Sequence, residues 1–319
     1  MKKFLKLQKK LIVVIVIIFV LFTVGRETHE YFSTLNNDEY TRNDDGHTRS
    51  NDEYTRSNDR YTSPHIYLID RETENVIYEK DAHSKTYPAS LTKIMTAIVA
   101  LENINDLSEI TPIDAETYQN MVNQNASMAG FYSREEVTYR DLLYGTILSS
   151  GGEAANSLAI HVAGNVEGFV QMMNAKAIKL GLKDTHFTNP EGLHNKNQYT
   201  TAYDMAKLLD YALDNGHFKA IITKETFQTT STPDHPDGLL LKSTVLKFLN
   251  KEEQNGFEII GGKSGTTSEA GQCWATLGLV GNHEYISIVM GAPLEDINDP
   301  DQAQIADTLM LYENIKTGK

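Results

Sequence analysis

The 319-residue chain is short of cysteine, tryptophan and positive charge. Its one cysteine, Cys273, excludes an internal disulfide framework and any multi-cysteine zinc or iron–sulfur site. Cys273 and the single tryptophan, Trp274, fall in an apolar run, so both are expected in the core, Trp274 there rather than on a carbohydrate platform. The 29 lysines and arginines are outnumbered by 43 aspartates and glutamates, for a formal charge of −14. That balance argues against a nucleic-acid binder, whose affinity depends on cations that neutralise phosphates. The ten histidines form no H-E-x-x-H or other compact ligand pattern, so no metal site and no metallopeptidase is expected. His186 and His194, which flank a turn, are read as structural.

What is present is unevenly distributed. Residues 1–24 contain five lysines and no acid, and an unbroken apolar run extends from Leu11 to Phe22. A basic flank stays on the cytoplasmic side, so the remainder is expected outside the cytoplasm. Two readings stand. The run is short for a membrane span of roughly 20 residues, as in a cleaved signal peptide. However, Thr23-Val24-Gly25-Arg26 offers no small-x-small cleavage site, which favours an uncleaved anchor. Residues 25–63 then turn polar and repetitive: Asn37-Asp38-Glu39-Tyr40-Thr41-Arg42 recurs as Asn51-Asp52-Glu53-Tyr54-Thr55-Arg56 and, degenerately, as Asn58-Asp59-Arg60-Tyr61-Thr62. Such a segment buries too little apolar surface to offset its ordering entropy and is expected to be a disordered spacer.

Residues 64–319 carry the patterns of a folded domain. Ile66–Asp70 and Val76–Tyr78 read as a hairpin, and Leu91, Ile94, Met95, Ile98 and Leu101 place a helix from about Ser90. Helices are expected near 139–148, 154–162, 167–180, 201–213 and 304–312, with strands at 273–280 and 285–290. Strands at both ends and helices between them predict an α+β fold: one antiparallel sheet completed by distant segments, with a helical lobe inserted.

Two motifs carry chemistry. In Ser90-Leu91-Thr92-Lys93, residues i and i+3 share a helix face, so the lysine amine can reach the serine hydroxyl. A serine beside a desolvated lysine is a nucleophile activated without histidine, and its N–H, free at a helix start, can bind an oxyanion. The plain alternative is a capping serine and a solvated lysine. In Gly261-Gly262-Lys263-Ser264-Gly265-Thr266-Thr267, Lys263 offers charge, Ser264 or Thr266 a hydrogen bond to a carboxylate, and Gly265 close approach of a substrate backbone. Alone, this too could be an ordinary glycine-rich turn.

In this order and spacing the two motifs resemble the serine penicillin-binding proteins and β-lactamases, whose signatures are S-x-x-K, S-x-N and K-[TS]-G. The resemblance narrows to the low-molecular-mass D-alanyl-D-alanine carboxypeptidases of the S11 peptidase type. Tyr87 to Thr96 is similar to their nucleophile helix, and Ala177 to Leu182, Thr185 to Leu193 and Tyr199 to Asp204 are similar to their middle signatures. Glu269-Ala270-Gly271 completes the match. The resemblance implies the fold of serine β-lactamases and DD-peptidases, no cofactor, and a Ser90 acyl-enzyme formed with Lys93 as general base. It further implies proton relay by Ser150, a wall of Lys263, Ser264 and Gly265, and an oxyanion hole from the N–H groups of Ser90 and Thr266. The implied partners are stem peptides ending in D-Ala-D-Ala, β-lactams, and a membrane through the N-terminal segment. Family members often carry a further C-terminal domain and amphipathic tail; the chain stops at Lys319, so attachment is expected at the N-terminus.

One position departs from the signature. In Leu148-Ser149-Ser150-Gly151-Gly152-Glu153, Gly152 stands where substrate-binding asparagine is expected. Asn156 lies six residues from Ser150, too far to take that place without rearrangement, and water or Glu153 remains as a substitute. Three readings are therefore carried forward: a carboxypeptidase, a β-lactamase-like hydrolase, and a non-catalytic wall-peptide or penicillin-binding protein.

Overall fold

A computed structural model describes residues 60–249, 254, 256–297 and 299–318. The N-terminal apolar run and the first two copies of the repeat lie outside these residues. Among the described residues no helix is long and apolar enough to cross a membrane.

The centre is a five-stranded antiparallel sheet. Its strands are β1 (His65–Asp70), β2 (Val76–Lys80), β7 (Glu258–Thr267), β8 (Gly271–Val280) and β9 (His283–Ala292), in the order β2-β1-β9-β8-β7. Two short ribbons supply the other strands: β3 (Ile110–Pro112) with β4 (Glu136–Thr138), and β5 (Thr226–Gln228) with β6 (Leu240–Lys242). β1 pairs with β9 from His65↔Met290 to Asp70↔Tyr285, so the first strand is held by the last. Everything between β2 and β7 is thereby inserted into the sheet, as the distribution of strands and helices predicts.

Both faces of the sheet are covered, and period-two alternation sorts its side chains. Tyr67, Ile286, Ile288 and Met290 join the main core with the inserted helices. Ile66, Leu68, Tyr285 and Val289 join a second core on the opposite face, beneath the C-terminal helix Ala303–Thr317. That double burial explains why β8 and β9 read as near-continuous apolar runs.

The inserted helices are α1 (Thr92–Asn103), α2 (Ala115–Asn123), α3 (Tyr139–Ile147), α4 (Gly152–Ala163), α5 (Val166–Lys179), α6 (Ala202–Leu213) and α7 (Gly216–Ile222); the C-terminal helix is α8. Several starts follow from side-chain caps: Asp114, Asn165 and Thr201 each accept a backbone N–H, and Thr138 with Asp141 forms a capping box. α1 is the buried axis of the lobe, with every residue from Thr92 to Leu101 buried. Sequence periodicity starts this helix near Ser90, but a 3-10 turn, Ala89–Leu91, precedes it. Ala89 has φ of +46°, which α-helical backbone does not allow. Helix α7 and the two ribbons are too short to leave a clear period in the sequence, and α2, which buries only Thr117 and Met121, is too polar to leave one.

The domain begins earlier than composition suggests. Tyr61 to Ser63, expected as the end of the spacer that runs to residue 63, are packed on the sheet and α8. Tyr61 is buried against Tyr78, with ring centroids 4.9 Å apart, and its hydroxyl accepts from Asn314 at 2.8 Å. Its carbonyl accepts from Lys80 Nζ at 2.8 Å. Buried Asp307 accepts the N–H groups of Thr62 and Ser63 at 3.1 and 2.7 Å. Ser63 is fully buried, where the other copies have Arg42 and Arg56, so this copy departs from the repeat where the packing demands a small side chain. Asp307→Ala strands two amides and is expected to cost about 1–3 kcal/mol in urea denaturation, whereas Thr62→Ala, which keeps its N–H, should be near neutral.

Candidate active site

The nucleophile motif, the Ser150 loop and β7 meet where the helical lobe abuts the sheet edge. Ser90 occupies the turn before α1, and Lys93 the first turn of α1. Lys93 Nζ lies 3.0 Å from Ser90 Oγ and 2.5 Å from the carbonyl oxygen of Glu191. Ser150, in the link between α3 and α4, has φ of +59°, an uncommon conformation for serine that turns the chain at the site. Its hydroxyl accepts from Lys263 Nζ at 2.9 Å, and the same amine donates to the carbonyl of Ser264 at 2.6 Å. A Cβ on Gly265 would lie 2.8 Å from the Ser90 nitrogen, so only glycine lets this strand approach the nucleophile turn. Thr266 follows at an exposed position opposite Gln272.

The middle signature forms the floor. Pro190 and Glu191 present carbonyls to α1: Thr96 Oγ1 donates to Pro190 at 2.6 Å, and Lys93 to Glu191 as above. Gly192, with φ of +89°, presses against the nucleophile turn; a Cβ there would lie 2.0 Å from the Ala89 carbonyl oxygen. Asn189 braces the loop, accepting from Gly192 N at 2.7 Å and donating to Leu193 O at 2.9 Å.

Burial sets the electrostatics. The Lys93 amine is pushed down to about 8 by desolvation, against the opposing pull of the Glu191 and Glu153 carboxylates. Lys263 is held well below the ordinary lysine range, by burial first and by the Lys93 charge second. Burial pushes both carboxyls up; Glu191 is steadied by Lys93 and by Asn156, Glu153 by backbone N–H groups. Two amines and two carboxyls thus share one desolvated cluster.

The departure at Gly152 has a structural counterpart. A Cβ at Gly152 would lie 2.8 Å from Met121 Sδ, so the thioether of α2 fills the space a side chain there would enter. Glu153 does not substitute for the missing amide: its Oε1 accepts from Ala129 and Gly130 N–H at 2.7 and 3.0 Å, and its Oε2 is buried without a partner. Asn156 stays on its own helix, donating to Gly152 O at 3.0 Å and to Glu191 Oε2 at 3.1 Å. It therefore reaches Lys93 only through Glu191.

Four residues of this environment are not among the expected site residues. Glu191 meets Lys93 through its carbonyl, Asn156 is bonded to the Glu191 carboxyl, Met121 fills the space beside Gly152, and Thr244 Oγ1 accepts from Ser264 Oγ at 2.7 Å. Glu191 and Asn156 lie in or beside the recognised signatures, whereas nothing marks Met121 or Thr244. Other expectations fall away from the site. Trp274 is buried in a cluster with Val245 and Ile305, and Cys273 is buried with its thiol pushed up to about 12. Among the described residues no group of histidine, cysteine or acid side chains is arranged to hold a metal.

The sequence profile of the D-alanyl-D-alanine carboxypeptidases, peptidase family S11, matches residues 52–294. The chain belongs to that family. It is 34% identical over 230 residues to the D-alanyl-D-alanine carboxypeptidase DacF of Bacillus subtilis, covering 70% of this chain and 56% of DacF. It is 33% identical over 235 residues to DacD of Escherichia coli, covering 70% of this chain and 57% of DacD. The chain thus spans little more than half the length of these curated relatives. The crystal structure of a Streptomyces DD-transpeptidase superposes with a TM-score of 0.71 at 28% identity, covering 81% of this chain and 98% of that one. The fold is that of the DD-peptidases and penicillin-binding proteins.

The Gly152–Met121 contact generates a test. Gly152→Asn alone is expected to lower stability by about 1–3 kcal/mol through overpacking, and Met121→Ala in the same chain should restore much of the loss, as read by thermal and urea denaturation.

Proposed function

We propose that the protein is a serine-type D-Ala-D-Ala carboxypeptidase that removes the terminal D-alanine from peptidoglycan stem peptides. The observation that carries the reading is the desolvated Lys93 amine, poised on Ser90 Oγ and anchored by the Glu191 carbonyl. Neutral Lys93 accepts the Ser90 proton as Oγ attacks the penultimate D-alanine carbonyl. The oxyanion is received by the N–H groups of Ser90 and Thr266. As the tetrahedral adduct collapses, the C–N bond breaks and the proton that Lys93 took from Ser90 passes through Ser150, whose hydroxyl Lys263 holds, to the departing D-alanine nitrogen. Water then attacks the acyl carbonyl as Lys93 takes its proton, the bond to Ser90 Oγ breaks, and Lys93 gives that proton to the serine oxygen.

Substrate carboxylate is received at Lys263 and Ser264. An arriving carboxylate restores the charge that burial withholds from Lys263, so binding is coupled to protonation of that amine. β-Lactams, which resemble the D-Ala-D-Ala bond, acylate Ser90 and leave it slowly. The apolar run behind the N-terminal lysines holds the protein at the outer face of the membrane.

A second reading rests on Met121. With its thioether where an amide is expected, substrate backbone loses a hydrogen bond, which favours a protein that binds wall peptide or β-lactam with little turnover. Incubation with a D-Ala-D-Ala peptide decides between them, since binding without release of D-alanine refutes the carboxypeptidase. Rapid penicillin hydrolysis, in place of a long-lived adduct, would instead make it a β-lactamase.

Two outcomes are expected of fluorescent-penicillin labelling. Ser90→Ala removes the covalent band. In the unaltered protein Lys93 must be neutral to act, and its pKa lies at about 8. Acylation should therefore fall about tenfold per pH unit on the acid side, rise through about pH 8 and level off above it. A rate independent of pH between 6 and about 9 would remove Lys93 as the base.

A further inference from the structure

The turn after β7 carries an acidic side chain that the proposed reaction leaves unused. Glu269 is exposed in the segment joining β7 to β8. Its role is not to shape the turn, because Ala270 N–H is already satisfied by Thr267 Oγ1 at 3.0 Å. Its recorded partner is the ring of His194, with Nδ1 3.9 Å from Glu269 Oε2, a separation too long for a good hydrogen bond. The His194 ring in turn meets Tyr87 edge-on at 4.7 Å.

These three side chains are carried by the segments that meet at the nucleophile turn. Tyr87 precedes Ser90 by three residues, and His194 follows Gly192, the glycine pressed onto the Ala89 carbonyl. Glu269 continues the strand whose Gly265 abuts the Ser90 nitrogen. The cluster is therefore anchored to the nucleophile turn from both flanks, while the side chains of His194 and Glu269 remain 30% and 46% exposed.

The direction of a bound peptide follows from the order of residues on β7. Its carboxylate is received at Lys263–Ser264 and its scissile carbonyl beside Gly265 and Thr266. A C-terminal carboxylate lies downstream of that carbonyl in the substrate, but Lys263 lies upstream of Gly265 in the strand. The substrate must run antiparallel to β7, as a strand added to its open edge. Residues preceding the two alanines then extend past Thr267 toward Glu269.

We propose that Glu269, with His194 and Tyr87 beside it, is a specificity-determining site for a cationic side chain on the substrate residue just before the two alanines. The Glu269 carboxylate accepts hydrogen bonds from an ammonium group, and the rings of His194 and Tyr87 cover the apolar stem that carries it. This inference rests on the carboxypeptidase reading, because the direction of the substrate comes from it.

The test measures D-alanine release by the full chain from Nα-acetyl-L-lysyl-D-alanyl-D-alanine and from the same peptide with its side-chain amine acetylated. The free amine is expected to raise kcat/KM about three- to fivefold, through KM, with the advantage shrinking as salt is added. Each variant is compared with itself across the two peptides, so a change in overall rate does not confuse the ratio, and a thermal melt checks folding. Glu269→Gln should bring the ratio to one, and Glu269→Lys should invert it. Equal rates in the unaltered protein, or a preference that survives Glu269→Gln, overturn this proposal alone. Failure to release D-alanine from either peptide overturns the reaction reading, and this proposal with it.

Discussion

An amine with little water around it sets the terms for the rest of the site. Lys93 is buried in the first turn of α1, where desolvation lowers its affinity for a proton and so makes it a base near neutral pH. Leaving such an amine unpaired would be costly, and the fold meets that cost from several directions. Ser90 Oγ and the Glu191 carbonyl supply hydrogen bonds, and the Glu191 and Glu153 carboxyls supply opposing charge. The second amine, Lys263, is kept from protonation by its own burial and by the Lys93 charge, and is held by Ser150 and the Ser264 carbonyl. Geometry and electrostatics here are one constraint, because any group that moves Lys93 also moves its pKa.

The topology explains how four distant segments come to serve one amine. The sheet is closed by pairing β1 with β9, so the long insertion must leave the sheet after β2 and return at β7. α1 becomes the buried axis of that insertion, and β7, as the edge strand, comes to lie against its start. Glycines permit the two closest approaches: Gly265 from the strand and Gly192 from the middle signature, each meeting the backbone around Ala89 and Ser90. Backbone held at this proximity keeps the nucleophile in register with its base. The positive φ angles of Ala89 and Ser150 are maintained by that surrounding packing.

The position where this chain leaves the family signature shows how a core adjusts around a lost side chain. Gly152 opens a space at the start of α4, and Met121 from α2 enters it. Methionine suits such a gap, being unbranched and polarisable. Asn156 then turns to Glu191, so its amide acts on the carboxyl beside Lys93 and not on Lys93 itself. The cluster stays hydrogen-bonded, although the surface it offers to a ligand differs from that of a chain with asparagine in the signature.

Much of this was legible in residue order. Period-two and helical spacing located β1, β2, β8, β9 and most of the long helices, because each buries a repeating set of side chains, whereas the glycine-rich β7 was legible only as a motif. The Ser90–Lys93 spacing placed an amine beside a hydroxyl, since i and i+3 meet on any helical turn. The contribution of Ser63 to the fold, the entry of Met121 beside Gly152 and the pairing of Thr244 with Ser264 were not legible, because each joins residues far apart in the chain. Periodicity reports which face of an element is apolar, and motifs report which groups are available. Sequence alone therefore determined the family, the α+β class and the pairing of Ser90 with Lys93. Tertiary structure decided where the domain begins, what fills the place of the absent amide, and how far burial lowers Lys93. Those are properties of packing and desolvation, which exist only once distant segments exclude water from between them.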